Sequence, residues 1–209
     1  MTWFSLDEPG AHPRAVAILA HGAGGNRDQA ILTATAGESV LAGLRVVRID
    51  LPFRRRRPKG PPSPSGQAAD RAAFAEATER FAVDGVPTIW GGQSYGGRMA
   101  SMAAAGVDGG DGPAPSGLLL LSYPLHPPGK PEKARTEHLP RIAVPTVFVH
   151  GRRDPFASEE ELAAAAALIP APTRIVTVAA AHDLAPAKSG APRLAAEAVA
   201  DFLLPALGA

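Results

Sequence analysis

The chain is 209 residues long, with 45% hydrophobic and 20% charged residues and a formal net charge of +1 at pH 7. That length and composition suit one folded domain over 1–209 with a sizeable core, and the near-neutral charge argues against a dedicated nucleic-acid binder or a membrane-surface protein. Cysteine is absent, which excludes disulfides, thiolate zinc sites and a cysteine nucleophile. The opening residues MTWFSLDEPGAHPR lack a basic start leading into an apolar core, and no apolar stretch approaches about 18 residues. Neither a signal peptide nor a membrane span is expected, and a cytoplasmic location is.

In chain order, an apolar run at 15–22 (AVAILAHG) leads into a helix near 27–42. A second run at 44–52 (LRVVRIDLP) leads into a basic, proline-rich stretch at 51–66 that reads as irregular, then a helix near 66–84. Runs at 86–92 (VPTIWGG) and 117–124 (GLLLLSYP) flank a helix near 95–105. A longer connection, 123–143, precedes a run at 144–151 (VPTVFVHG), a helix near 158–168, a run at 173–181 (TRIVTVAAA) and a last helix near 189–204. The runs are continuous rather than alternating, as strands buried on both faces require. Their alternation with helices predicts an α/β fold, a mostly parallel doubly wound sheet of about six or seven strands. Such sheets gather function at the carboxyl ends of their strands.

One such end reads Gly92-Gln93-Ser94-Tyr95-Gly96. The G-x-S-x-G pattern between a strand and a helix is that of a nucleophile held on a sharp turn. Side chains two residues before and after the serine would collide with neighbouring backbone, so glycine is needed at both places. A serine hydroxyl is a poor nucleophile near neutral pH and needs a histidine base oriented by a carboxylate. His182 follows the last apolar run, and Asp154 follows the run before it. The order Ser94, Asp154, His182 leaves room for one helix and one strand between the last two. Among the other histidines, His21 braces the loop after the first run, His150 ends a buried strand, and His12 is a surface residue. His126 and His138 lie in the long connection, with His126 the competitor for a substrate contact. Asp183 adjoins His182 and reads as a cap or a solvent-facing residue.

Acyl transfer also needs two backbone N–H donors for the developing oxyanion. Tyr95, following the serine, supplies one. The loop HGAGGN (21–26) supplies the other, from Ala23 first and Gly24 next. A dinucleotide-binding reading of that loop fails because position 27 is Arg. No residues show a metal-site spacing, and no cofactor is expected.

With HGAGGN, GGQSYGG, HGRRD and AAAHD in this order, the chain resembles the α/β-hydrolase superfamily over almost its whole length. HGAGGN and SYPLHPPGKPEKARTEHLPRI carry a narrower resemblance, to a small branch related to dienelactone hydrolases. That branch includes the testis-expressed and histone-acetyltransferase-complex hydrolase-like homologues. The resemblance implies an α/β-hydrolase fold and a hydrolase. Dienelactone hydrolases proper use cysteine where this chain has Ser94, so it does not imply a lactone substrate. Larger hydrolases carry a lid near 123–143; the short connection here predicts an open or shallow site. The expected substrate is a small ester or thioester. Arg54 to Arg57, at a strand's carboxyl end, would attract an anionic one, with a solvated basic loop as the plain alternative. Two other functions stay open at this point: acyl transfer to an acceptor other than water, and a non-catalytic interaction protein keeping the fold.

Overall fold

A computed structural model describes residues 2–109 and 112–208. Seven strands form one sheet: β1 (Phe4–Asp7), β2 (Ala15–Ala20), β3 (Leu44–Ile49), β4 (Thr88–Gln93), β5 (Gly117–Leu121), β6 (Thr146–Gly151) and β7 (Thr173–Val178). Their spatial order is β1-β3-β2-β4-β5-β6-β7. All neighbouring pairs are parallel except β1 with β3. The main helices are α1 (Ala30–Leu41), α2 (Pro52–Arg56), α3 (Gln67–Phe81), α4 (Tyr95–Ala104), α5 (Glu159–Ala166) and α6 (Ala191–Ala198).

The continuous apolar runs are explained by cores on both faces of the sheet. Along β2, Val16, Ile18 and Ala20 enter one core together with Phe74, Met99 and Phe148. Ala15, Ala17 and Leu19 enter the other with Ile31, Val46 and Leu203. Successive strand residues point to opposite faces, so a strand covered on both sides is apolar at most of its positions. Each fully buried leucine or isoleucine in these layers contributes about 1.5–3 kcal/mol of transfer free energy.

Strand order reverses at β2, which has β3 on one side and β4 on the other. The crevice outside the carboxyl ends of β2 and β4 is therefore the topological switch point, where ligands bind in sheets of this type. Two elements depart from the sequence expectation. β1 is an antiparallel edge strand too short to register as an apolar run. It is held by Arg48 on Asp7 at 2.9 Å and by Phe4 packed against Phe81. The stretch read as irregular opens with α2, whose Pro52 suits the first helical turn because its missing N–H would have no acceptor there. The connection between β5 and β6 contributes two single 3-10 turns, Pro131–Lys133 and Leu139–Arg141, and no helical cap. Among the described residues no helix is long and apolar enough to cross a membrane.

Candidate active site

Ser94 sits between β4 and α4 with φ 52° and ψ −114°. A non-glycine residue at this conformation costs about 1–3 kcal/mol and is kept where its surroundings over-determine it. Those surroundings are specific. Ser94 N–H donates to Leu121 O at 2.8 Å, and Ser94 O accepts from Arg98 N at 2.9 Å. A Cβ at Gly92 or at Gly96 would run into the carbonyl of Ala20 at the end of β2. The flanking glycines thus let the turn press against the neighbouring strand, with the hydroxyl standing clear of it.

Across the crevice, the Ser94 hydroxyl lies 2.8 Å from His182 Nε2. The opposite ring nitrogen, Nδ1, lies 2.8 and 3.0 Å from the two oxygens of Asp154. The Asp154 side chain is fully buried, and its Oδ1 also accepts from Phe156 N at 2.9 Å. A carboxylate on Nδ1 keeps that proton in place and leaves Nε2 bare to accept from the serine. Two further contacts fix the imidazole. Phe156 packs on the ring with centroids 4.2 Å apart, and Gln93 Nε2 donates to His182 O at 3.1 Å.

The loop after β2 closes the third side. Gly22 O accepts from Gly25 N at 3.0 Å and from His21 Nδ1 at 2.8 Å. Burial pushes the His21 pKa down, so the ring is neutral and its Nε2 accepts from Leu51 N at 3.2 Å. The N–H groups of Ala23 and Gly24 find no acceptor among the described residues. Tyr95 N–H opens α4, where the first amides have no intrahelical acceptor. Gly22 N is held by Gln29 Oε1 at 3.0 Å, and Gln29 in turn donates to Gln93 Oε1 at 3.2 Å. The two glutamines tie this loop to the one carrying His182.

Residues 13–200 match the family described as alpha/beta hydrolase domain. The chain belongs to that family. Its fold is also that of solved structures of low identity. The dienelactone hydrolase from Anabaena variabilis superposes with a TM-score of 0.72 at 19% identity, covering 97% of this chain and 90% of that one. Est1E from Butyrivibrio proteoclasticus, solved with ferulic acid bound, gives 0.73 at 18%, covering 99% and 95%. A thermophilic esterase from Thermogutta terrifontis, solved with malate bound, gives 0.70 at 18%, covering 97% and 93%.

In this alpha/beta hydrolase domain the remaining expected site residues fall outside the Ser94 group. His126 bonds Pro127 O at 2.8 Å and Glu161 Oε2 at 3.1 Å. The Pro127 carbonyl and the Glu161 carboxylate push its pKa up, and both ring nitrogens are engaged away from Ser94. Arg54, expected at a substrate, is buried instead. It donates to Ala23 O and Gly25 O, both at 2.8 Å, and to Arg57 O and Gly60 O. The helical turn of α2 separates the four arginines. Arg55 pairs with Glu76 and stacks on Trp3, and Arg57 donates to Pro61 O. The run is therefore not one cationic patch. His150 is buried and bonds Ala157 O at 3.0 Å, His12 is exposed, and Asp183 accepts from Ala185 N. Sequence reading missed Asp70, a buried carboxylate on α3 accepting from Phe53 N at 3.0 Å and Tyr95 OH at 2.7 Å. Its one signal was an acid on the inward face of α3.

Proposed function

We propose that this chain is a serine hydrolase of small carboxylic esters or thioesters, working through Ser94, His182 and Asp154. The observation that carries this reading is the hydroxyl–imidazole–carboxylate line on a strained turn. Ser94 Oγ attacks the acyl carbonyl while His182 Nε2 takes its proton, and Asp154 stabilises the imidazolium. The carbonyl oxygen becomes an oxyanion facing the N–H groups of Tyr95 and of Ala23, with Gly24 beside it. The intermediate collapses, the C–O or C–S bond breaks, and the leaving alkoxide or thiolate takes the proton from His182. Water, deprotonated by the same histidine, then attacks the acyl-enzyme and releases the acid. The Anabaena and Thermogutta proteins, by their names a dienelactone hydrolase and an esterase, support an acyl substrate.

The kinship with the testis-expressed and histone-acetyltransferase-complex homologues, carried by 21–26 and 122–142, belongs to the same proposal and adds no substrate. A fluorophosphonate probe tests the reading. Covalent labelling is expected in the native protein and its loss in Ser94→Ala. A folded native protein that resists the probe and cleaves none of a panel of short-chain esters and thioesters refutes it.

A further inference from the structure

Both amide donors of the anion site are backbone groups, so their aim depends on what holds the peptides and residues that carry them. A planar trans peptide points its C=O and N–H in opposite directions. Whatever grips a carbonyl on the outer side of the loop therefore aims the next N–H inward. The Ala23 carbonyl, whose peptide carries the Gly24 N–H, is gripped by Arg54 Nη2 at 2.8 Å. The Ala23 N–H shares its peptide with the Gly22 carbonyl, which accepts from Gly25 N at 3.0 Å, and Arg54 Nε fixes Gly25 through its carbonyl at 2.8 Å. The same guanidinium reaches Arg57 O and Gly60 O, so it anchors the loop to the segment that follows α2. Arginine suits this place because its fixed planar fork serves several carbonyls at once, which a lysine ammonium cannot match.

The other donor is aimed from the same short helix. Tyr95 OH donates to Asp70 at 2.7 Å, and Asp70 holds Phe53 N, one residue from Arg54, at 3.0 Å. The Phe53 and Tyr95 rings pack edge to face with centroids 5.6 Å apart. Each Asp70 oxygen thus meets one neutral donor in a fully buried position. A buried carboxylate is costly to keep unless it is well bonded, and an apolar residue would fill α3 at no such cost. We propose that Arg54 and Asp70 are positioning residues for the anion-stabilising amides, Arg54 through the Ala23–Gly25 carbonyls and Asp70 through the Tyr95 hydroxyl. α2 is the bracket that sets the two donors at a fixed separation. This rests on the serine-hydrolase reading of Ser94.

The test compares the native protein with Arg54→Met, Arg54→Lys and Tyr95→Phe. It measures kcat and KM on p-nitrophenyl acetate, the Kd of phenylboronic acid, which forms a tetrahedral adduct on a serine, and Tm. A full donor lost from such a site costs about 100- to 1000-fold. Misaiming is smaller, about 10- to 100-fold in kcat for Arg54→Met, with KM within about twofold. The boronate Kd should weaken by a similar factor, and Arg54→Lys should fall between Met and native. Tyr95→Phe, which keeps the amide and deletes only the hydroxyl, should lower kcat about three- to tenfold. A purely structural role would shift Tm and leave kcat and boronate affinity in the folded variants untouched; that result overturns the proposal. If Arg54→Met does not fold, Arg54→Lys and Tyr95→Phe decide it. A native protein inert to both ester and fluorophosphonate sinks the hydrolase reading and this one with it. A labelled, active native protein matched by all three variants sinks only the positioning role.

Discussion

Two serine–histidine contacts lie at either end of α4, and they make opposite use of the same distance. Ser94 to His182 and Ser101 to His138 are both 2.8 Å. The Ser101 hydroxyl donates to Arg98 O at 2.9 Å, so it can only accept from His138 Nε2–H. At Ser94 the polarity is reversed, because Asp154 holds the imidazole proton on Nδ1 and Nε2 is left to take one. Ser101 is fully buried on a relaxed helix, whereas Ser94 is partly exposed on a strained turn. Proximity of hydroxyl and imidazole therefore says little; the carboxylate, the backbone and access to solvent decide which pair can do chemistry.

The contrast can be broken most severely at the hydroxyls. Ser94→Ala or His182→Ala should lower kcat by about a million-fold, since the residues act as a unit. Ser101→Ala should leave kcat within twofold and cost about 1 kcal/mol in a denaturant melt, one buried hydrogen bond. Asp154→Asn comes next, with a loss of about ten-thousand-fold in kcat at unchanged fold, because an amide favours the wrong tautomer of His182. A last test sharpens the comparison through pH. Burial, and then the charge of Arg98, pushes the His138 pKa down to about 4 from 6.5. Between those values the unfolded chain binds a proton that the folded one does not, so stability is full above pH 6.5 and falls as pH drops towards 4, by up to about 3 kcal/mol. In His138→Gln, urea melts across that window should show a flatter slope than in the native protein.

The architecture was legible because β2 to β6 are buried on two sides and announce themselves as nearly continuous apolar runs. The serine turn was legible because steric exclusion allows glycine alone at positions 92 and 96. The relation of Asp154 and His182 followed from chain order. β1 escaped because four residues with one exposed face make no run, and their hold on the sheet is long-range, through Arg48 and Phe81. Arg54 was misjudged for a related reason. Four consecutive arginines look alike in sequence, and only the turn of α2, fixed by Asp70 from another helix, decides which one is buried. His126 likewise depends on Glu161, whose place is set by the Ser158 cap of α5.

The connection from β5 to β6 carries no cover for Ser94 among the described residues, and that has a kinetic meaning. An uncovered nucleophile has no shut form that an oil–water boundary could pry open. Turnover of a sparingly soluble ester should rise smoothly through its solubility limit, without the jump seen when droplets unlock a closed catalyst. What such a crevice accepts is then a matter of reach and shape at its mouth.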